Sequence, residues 1–495
     1  MNDRDDGAIG EKYRRLLQGE PLRVLDLFSG CGGMSLGFQR AGAEILAGLE
    51  IEPQRAQTHA RNFHRHLGER DEQRHARPHD ITALEPRACL DALVGRNSDV
   101  DVIVGGPPCQ AYARVGRAKL REIAQHPEAY LHDGRGQLYA AYIRYVEQLQ
   151  PVVIVMENVP DILSYGGDNV AELAAVGLEE LGYVCRYTLL NAANYGVPQT
   201  RERWYMIGVH RSVGALPYFP APTHHVVLPS GYAGTRSRAL KWETDPAPHC
   251  VPLCASSPSL PPAVTCEEAL SDLPVISNEE KLALKRGARD LTARRPYRWG
   301  RPNRYQHIMR AWSGGPTMTD VSAHVIRALP RDYDIFREMR EGDDYPAAHA
   351  IGEARFQRAL MLRRLSGDRI PDGGVRWQEL RQELVPPYDP TKFPNKWRKL
   401  ERHFPSRTLM AHLSHDTYSH IHYDSEQART ISVREAARLQ SFPDHFEFSG
   451  AMNAAFGQIG NAVPPLMAFA LAEQILQTLG LRKTTPLRIA SGTTG

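Results

Sequence analysis

The sequence of 495 residues lacks a long apolar run, a dense set of cysteines and a large excess of charge. Its most apolar stretches, such as residues 152–156, fall far short of the ~20 residues that a helix needs to span a bilayer. Its seven cysteines are scattered, which argues against a disulfide framework. With 60 Lys+Arg against 57 Asp+Glu, the formal net charge is only +3. The composition excludes membrane, collagen-like and disordered classes, and it predicts a soluble, cytoplasmic protein with two or three domains.

Apolar segments that alternate with helical patterns predict the fold class. Candidate strands lie at residues 22–28, 45–49, 100–104 and 152–156, and a helical pattern covers residues 137–149. Strands that are apolar throughout, with helices between them, are typical of a parallel sheet covered on both faces. We therefore predict an α/β fold with a Rossmann-like sheet.

The pattern changes in the second half of the chain, where prolines, short charged segments and basic runs replace the regular alternation. It resumes near Ser432 and Glu435, which have the spacing of a capping box at a helix start. We predict five segments in this order: a lead-in (1–20), the first part of a main domain (21–216), a large inserted domain (217–427), the return of the main domain (428–480) and a flexible tail (481–495).

Two basic runs lie inside the predicted insertion. The first, between Lys281 and Arg310, has ten Lys/Arg and one acidic residue, Asp290. The second covers residues 392–407. Clustered cations favour contacts with nucleic-acid phosphates, because local clusters matter more than the net charge of the chain. The alternative is a solvated helix face.

A glycine-rich turn follows the first predicted strand. It contains Gly30, Gly32 and Gly33, and Glu50 stands at the end of the next strand. A strand, a tight glycine turn and a helix form a nucleotide cradle, and an acid at the second strand end binds ribose hydroxyls. The spacing departs from GxGxxG, so an NAD fold and a purely structural turn remain alternatives.

Cys109 follows another strand directly, behind Gly105-Gly-Pro-Pro108. Two prolines hold the cysteine on a stiff loop at the sheet edge where open α/β folds bind ligands. The alternative is an ordinary buried cysteine. We predict no metal site, because the only close cysteine pair, Cys250 and Cys254, has no second pair to complete four ligands.

Two further motifs contain charged residues at or near predicted strands. Glu157 ends the strand at 152–156, which would place an acid in the same cleft as Cys109. In the segment 199–206, strand alternation puts Arg201, Arg203 and Tyr205 on one face, where arginines suit a phosphate or a carbonyl oxygen.

The order of these motifs resembles that of the DNA (cytosine-5)-methyltransferase family, from about Arg23 to Leu479. Six motifs carry the resemblance: Asp26-Leu-Phe-Ser-Gly-Cys-Gly-Gly33, Gly106-Pro-Pro-Cys-Gln110, Glu157-Asn-Val159, Gln199-Thr-Arg-Glu-Arg203, Arg429-Thr-Ile-Ser-Val-Arg-Glu-Ala-Ala-Arg-Leu-Gln-Ser-Phe-Pro443 and Gln458-Ile-Gly-Asn-Ala-Val-Pro-Pro465. In the family a variable recognition region separates the fourth motif from the fifth, as the insertion does here. The resemblance departs after the cysteine, where Gln110-Ala-Tyr112-Ala113 replaces the usual Gln-x-Phe-Ser.

The resemblance implies catalytic roles. Cys109 is similar to the thiolate that attacks C6 of cytosine, and Glu157 to the acid that bonds N3 and the exocyclic amine. Arg203 matches the arginine that contacts O2, and Arg201 its neighbour, which faces backbone or base. Because the target base is stacked in a duplex, it must be flipped out. The loop beyond Cys109, with cations at 114, 117, 119 and 121, could then close over DNA or be only a solvated helix face.

The resemblance also implies an AdoMet-dependent methyltransferase sheet and S-adenosyl-L-methionine (AdoMet) as the consumed methyl donor. The residues that match cofactor-binding positions are Phe28, Gly30, Gly32, Gly33, Glu50, Ile51, Asp80, Ile81, Pro108, Leu138, Asn461 and Ala462. Glu50 would take the ribose hydroxyls, Asp80 the adenine amine and Phe28 the ring face.

The expected partner is double-stranded DNA, methylated by a monomeric enzyme. A bacterial modification role beside a cognate restriction or phage-defence nuclease follows from the resemblance. A tRNA methyltransferase of the same family is one rival, although the long insertion opposes it. A catalytically silent regulator that binds DNA is the other, and the intact Cys109, Glu157 and Arg203 oppose that.

Overall fold

In the computed structural model, the described residues are 3–96, 98–108, 137–164, 169–232, 236–237, 247–284, 287–314 and 317–482. Six strands form the main sheet, and two short strands pair elsewhere. The strands are β1 (Arg23–Leu27), β2 (Glu44–Leu49), β3 (Val102–Gly105), β4 (Val153–Asn158), β5 (Tyr183–Asn191), β6 (Glu202–His210), β7 (Arg295–Pro296) and β8 (Asp320–Val321). The α-helices are Asp3–Leu17, Gly33–Arg40, Pro53–Phe63, Glu69–His75, Pro86–Val94, Gln137–Leu149, Val170–Glu180, Cys266–Leu270, Asn278–Ala283, Arg304–Arg310, Tyr333–Glu338, Tyr345–Leu365, Val375–Leu384, Val433–Leu439, Met452–Asn461 and Pro465–Thr478.

The main sheet has the strand order β2-β1-β3-β4-β6-β5. The first four strands are parallel, as their apolar sequences predict, whereas β6 runs antiparallel to both of its neighbours. The connection at 192–201 between β5 and β6 is too short for the crossover that a parallel pair requires. The predicted α/β sheet is confirmed, with one antiparallel strand added near an edge.

Both faces of the sheet are buried. Val24 and Val102 belong to a core cluster that includes residues of the helices Gly33–Arg40 and Pro465–Thr478. Leu25 and Ile103, one residue further along the same strands, belong to a second cluster with the helices Gln137–Leu149 and Val170–Glu180. Strand alternation sends successive side chains to opposite faces, so apolar residues are needed at nearly every strand position.

A helix, Asp3–Leu17, lies within the predicted lead-in at 1–20. The helix Asp3–Leu17 buries Ile9 and Leu16, which lie seven residues apart and therefore on one helix face. The Lys12 ammonium donates hydrogen bonds to the carbonyls of Leu149, at 2.7 Å, and Gln150, at 2.9 Å. This helix is therefore packed onto the main domain.

The predicted insertion divides into two parts by its packing. Residues of its first part, such as Leu270 and Met309, belong to the same core cluster as Val24 and Val102. A separate core starts at Tyr333 and includes Trp397, whose ring stacks on Tyr418 with centroids 4.5 Å apart. The change in composition near residue 217 marks the start of irregular chain. The first part of that chain nevertheless packs against the sheet domain.

The stretch Met452–Thr478 is long and apolar enough to cross a membrane, yet most of it is buried inside the protein. It consists of two helices, Met452–Asn461 and Pro465–Thr478, with Pro464 between them. Burial of this kind is typical of core helices.

Candidate functional site

The predicted site residues converge at one edge of the sheet. Leu27 pairs with Leu49 and with Gly105, and Gly105 pairs with Met156, so these positions are level across the four parallel strands, and β4 continues for two more residues. The residues that follow are Phe28, Glu50, Gly106 and Glu157. The carboxyl edge of the sheet therefore collects the glycine turn, both acids and the loop that leads to Cys109. Open α/β sheets bind their ligands at this edge.

The turn after β1 has a backbone that few residue types could adopt. Gly32 has φ 97° and precedes the helix Gly33–Arg40 directly. A Cβ on Gly32 would overlap the ring of Phe63, and one on Gly33 would overlap the carbonyl oxygen of Val463. Phe28, although not a glycine, also has a positive φ of 59°. Phe63 and the Val463 carbonyl therefore leave no space for a side chain at Gly32 or Gly33.

Glu50 is fixed beside this turn. Its carboxylate is buried and accepts hydrogen bonds from the backbone N–H of Gly30, at 3.0 Å, and of Glu52, at 2.9 Å. Next to it, the side chain of Ile51 is 61% exposed. The Glu50 carboxylate is therefore held in place and keeps acceptor lone pairs for a ligand. It lies next in sequence to the exposed apolar side chain of Ile51.

The loop that carries Asp80 is tied to the same edge. The His79 N–H donates to the Glu50 carbonyl at 2.8 Å. Asp80 is exposed, and its Oδ1 accepts from the Thr82 N–H and hydroxyl at 2.9 and 2.7 Å. Ile81 is buried, and its carbonyl accepts from Nη2 of Arg144, at 3.3 Å. Arg144 is a supporting residue that the sequence analysis missed.

The remaining cofactor candidates border this area from other elements. Leu138 is half-buried on the helix Gln137–Leu149, and Pro108 is exposed, three residues after the end of β3. Asn461 is exposed, whereas Ala462 is buried and its carbonyl accepts a hydrogen bond from the Gln440 amide. Val463, next in the chain, touches the glycine turn. Residues far apart in sequence thus surround one edge.

These residues fit an adenosyl ligand. Anchored Glu50 offers acceptors for ribose hydroxyls, exposed Asp80 offers an acceptor for an amine, and Phe28 and Ile51 offer apolar surface for a ring. Among the described residues no group of three or more His, Cys, Asp or Glu side chains could hold a metal ion.

Glu157 and Arg203 form an ion pair between adjacent strands. Nε of Arg203 lies 3.3 Å from Oε1 of Glu157, and both side chains are mostly buried. Burial raises the pKa of Glu157, while Arg203 and then Arg201 oppose that rise. The carboxyl group is therefore easier to protonate than a solvated glutamate, and it retains a cation beside it.

Arg201 makes backbone contacts. The side chain is 3% exposed, and its Nη1 donates to the carbonyls of Leu409, at 2.8 Å, and Gly460, at 3.2 Å. Burial lowers its pKa to about 9. The resemblance predicts that Arg201 faces either backbone or base. Its described contacts are with backbone carbonyls, and they connect the start of β6 to Leu409 and Gly460.

Asn158 and Gln199 are two buried supports whose roles the sequence analysis did not assign. Nδ2 of Asn158 donates to the Pro107 carbonyl at 2.7 Å, two residues before Cys109. Oε1 of Gln199 accepts from the Leu409 N–H at 3.0 Å. Each lies within a quoted motif, and a polar side chain beside an apolar strand was the available signal.

Cys109 and the cations at 114, 117, 119 and 121 lie outside the described residues, as does most of the predicted tail at 481–495. Many cations of the first basic run bind protein acceptors. Arg294 pairs with Asp320 at 2.6 Å, Arg295 pairs with Glu280 at 2.9 Å, and Lys281 is buried. Counting charges in the sequence therefore overstated the free positive charge of this run.

The geometry of one sheet edge thus joins a nucleotide cradle to an acid and an arginine. Comparison with known proteins decides between the possible interpretations. The model of the C-5 cytosine-specific DNA methylase family matches residues 22–246 and 278–477. The chain belongs to this family. It is a DNA (cytosine-5)-methyltransferase, and the resemblance seen in the motifs is confirmed.

The methyltransferase is similar over its length to bacterial proteins. It is 38% identical over 464 residues to M.OihORF3336P of Oceanobacillus iheyensis, which carries the name of a type II methyltransferase; the alignment covers 92% of this chain and 95% of that protein. It is 30% identical over 478 residues to the type II methyltransferase M.AgeI of Thalassovita gelatinovora, covering 92% and 99%.

A solved structure supports the fold. The crystal structure of a DNA modification methyltransferase encoded in an E. coli prophage matches with a TM-score of 0.58 at 22% identity, covering 93% of this chain and 99% of that one. Membership of the family implies AdoMet as methyl donor and double-stranded DNA as substrate.

Proposed function

We propose that the enzyme methylates C5 of one cytosine within a specific duplex sequence, through a covalent bond between Cys109 and C6 of a flipped base. The observation that supports this most is the buried Glu157–Arg203 pair, with its 3.3 Å contact, at the edge to which the Cys109 loop leads. An acid whose pKa burial raises, next to a fixed cation, suits a base that must gain a proton and be held by its carbonyl.

C5 of cytosine is a poor nucleophile, so the proposed chemistry begins by activating the ring. The Cys109 thiolate adds to C6 while Glu157 gives a proton to N3, which makes C5 an enamine carbon. Arg203 holds O2 of the base. Bound AdoMet would supply an electrophilic methyl group on a sulfonium, and C5 would bond to that methyl as the sulfur–methyl bond breaks. N3 then returns its proton to Glu157, and loss of the C5 proton to a base breaks the S–C6 bond and frees Cys109 as a thiolate.

The glycine turn after β1 and the acids near it bind the methyl donor in this proposal. Glu50 takes the ribose hydroxyls, because its carboxylate is already oriented by two backbone N–H groups. Asp80 takes the adenine amine, and Phe28 and Ile51 cover the ring. Pro108, Leu138, Asn461 and Ala462 complete the rim. Arg201 acts as a positioning residue, since its hydrogen bonds join β6 to the segments at 409 and 460.

The segment 217–427 serves as the recognition region in this proposal, between catalytic parts at 21–216 and 428–480. The separate core from Tyr333 onwards supports a body that presents side chains to DNA. The relatives named as type II methyltransferases support a modification role beside a nuclease that cuts the same sequence. The enzyme would act as a monomer in the cytoplasm, where the DNA lies.

Expression in a bacterial strain without cytosine-5 methylation tests the proposal. Bisulfite sequencing of the host DNA should show conversion-resistant cytosines at one position of one short motif, and the Cys109→Ser variant should leave none. DNA with no methylated motif, or methylation confined to tRNA, would overturn the assignment of substrate. Methylation by the Ser variant would overturn the role of Cys109.

A further inference from the structure

A cavity of about 430 Å³ lies between the segment that leads into β6 and the inserted region. Thr200 and Tyr232 line it from one side, and Arg398, Arg407, Thr408 and Ser419 line it from the other. Glu401 also lines the cavity, where it pairs with Arg398. The six residues named above carry hydroxyl and guanidinium groups. They are the donors that proteins use most for phosphate oxygens.

Arg407 differs from the neighbouring cations, because no described residue pairs with its guanidinium. Arg402 pairs with Glu267 at 3.0 Å and with Glu341 at 3.1 Å, and Arg398 lies 3.3 Å from Glu401. Within the described part of the chain, no hydrogen bond or ion pair joins the Arg407 guanidinium to a protein acceptor. The side chain is nevertheless half-buried.

The electrostatics at Arg407 favour an incoming anion. Burial lowers the pKa of Arg407, and the nearby charge of Arg398 lowers it further. Both effects mean that the guanidinium charge is poorly compensated where it lies. Because a half-buried charge without a partner has a high free energy, an anion that enters the cavity would relieve it.

The position of Arg407 is fixed relative to the catalytic strand. The Thr200 N–H donates to the Ser406 carbonyl at 2.8 Å, and the Ser406 N–H donates to the Pro198 carbonyl at 3.0 Å. Thr200 precedes Arg203 by three residues on the chain that forms β6. A ligand held by Arg407 is thereby held at a set distance from the Glu157–Arg203 pair.

We propose that Arg407, with Arg398 beside it, binds a backbone phosphate of the DNA strand that carries the target cytosine. Arg407 is then a positioning residue: it sets where the target nucleotide lies relative to Glu157 and Arg203 and takes no part in the chemistry. The inference rests on the proposed function, because it takes duplex DNA as the anion. Base reading by Arg407 is the competing outcome.

The test compares three variants of the full-length enzyme: Arg407→Gln, Arg407→Lys and Arg65→Gln. Arg65 is the control for loss of a cation elsewhere, because it lies outside both basic runs and the recognition region, is exposed and pairs with Glu447 at 2.9 Å. Binding to cognate and scrambled duplexes is measured at several salt concentrations. The kcat, the KM for DNA and the AdoMet affinity are measured in parallel.

Arg407→Gln should raise the KM for DNA by about 10-fold, since a charge-assisted contact is worth roughly that factor or more. It should leave the AdoMet affinity unchanged and weaken both duplexes alike, and its log–log salt slope should fall by about 0.9. Arg407→Lys should restore the slope, because the charge returns. Arg65→Gln should behave as the parent enzyme.

An unchanged salt slope in Arg407→Gln, or an equal effect of Arg65→Gln, would overturn the proposal. Loss of preference for the cognate duplex without a general loss of affinity would also overturn it and would assign Arg407 to a base. Failure of the proposed function is distinguishable, because the parent enzyme itself would then transfer no methyl group to DNA.

Discussion

The Asn158 side-chain amide donates a hydrogen bond to the Pro107 carbonyl at 2.7 Å, and so connects the end of β4 to the loop that leads to Cys109. Asn158 follows Glu157 directly, and Pro107 stands two residues before Cys109. One buried contact therefore joins the strand that carries the proposed proton donor to Pro107, in the segment that precedes the proposed nucleophile in sequence. Positioning of this kind contributes to rate because misplacement of reacting groups is costly.

Asn158→Asp should slow methyl transfer while DNA binding survives. The new side chain is isosteric but has no N–H to donate, and it sets a carboxylate against the carbonyl oxygen of Pro107. Loss of a buried hydrogen bond costs about 1–3 kcal/mol. Single-turnover kinetics should show a rate lower by roughly 10-fold or more at an unchanged DNA dissociation constant. A normal single-turnover rate would show that the contact does not position the loop.

Glu50→Ala should weaken AdoMet binding by about 1–3 kcal/mol, because hydrogen bonds to the ribose and to two backbone N–H groups are lost together. Glu52→Ala is the matched control: its side chain is exposed, and only its backbone N–H contacts Glu50. Titration calorimetry should separate the two variants. Equal affinity in both would remove Glu50 from the cofactor site.

Arg438→Met should destabilise the fold by about 3–5 kcal/mol. The Arg438 guanidinium is fully buried and bonds Asp272, at 2.9 Å, and Asp444, at 2.7 Å, so its removal leaves Asp444 without its ion-pair partner and Asp272 with Arg310 alone. Arg376→Met, which breaks an exposed pair with Asp368, should cost no more than about 1 kcal/mol. Urea unfolding of both variants checks the difference, and similar midpoints would contradict the account.

Buried histidines should make the enzyme sensitive to acid. Burial lowers the pKa of His59 to about 3, whereas an unfolded histidine titrates near 6.5. The folded state therefore binds fewer protons than the unfolded state between these values. The contribution of His59 is fully present above pH 6.5 and is lost as the pH falls, by about 1.4 kcal/mol per pH unit.

His59→Asn should remove that slope, when unfolding free energies are compared between pH 6.5 and 4. Burial raises the pKa of Asp26 to about 7, and this acid contributes in the opposite direction. The Ser35 hydroxyl donates to Asp26 at 2.6 Å and lies 3.1 Å from Nε2 of His59, so the comparison is repeated in an Asp26→Asn background to isolate His59. His66→Gln, at an exposed position, should keep the parent slope. An unaltered slope in His59→Asn would mean that His59 titrates alike in both states.

Local patterns in the sequence were sufficient for much of the fold. The helix Gln137–Leu149 and the capping box at Ser432 appear as predicted, because apolar spacing and cap chemistry are local properties. The helix Asp3–Leu17 was missed, since a charged surface masks the two apolar positions, Ile9 and Leu16, that pack it. The antiparallel direction of β6 depends on the length of its connection, which the strand pattern does not contain.

The sequence predicted the position of site residues that lie in recognisable motifs, but not their long-range contacts. Strand-end residues such as Glu50 and Glu157 were found because parallel strands deliver their carboxyl ends to one edge. The partners of Arg201 lie more than two hundred residues away in sequence, so its backbone contacts could not be inferred. The same holds for the basic runs, because pairing of Arg294 with Asp320 is a tertiary contact.

Trapping of the enzyme on DNA tests the central claim, the covalent bond between Cys109 and C6. A cognate duplex with 5-fluorocytosine at the target has no C5 proton to lose, so the adduct should persist after methyl transfer. The account predicts a denaturant-resistant complex with AdoMet present, with the base mapped by mass spectrometry to Cys109. Cys254→Ser should form it as the parent does, and Cys109→Ser should not. A parent enzyme that methylates normal DNA but forms no adduct, or an adduct mapped to another residue, would contradict it.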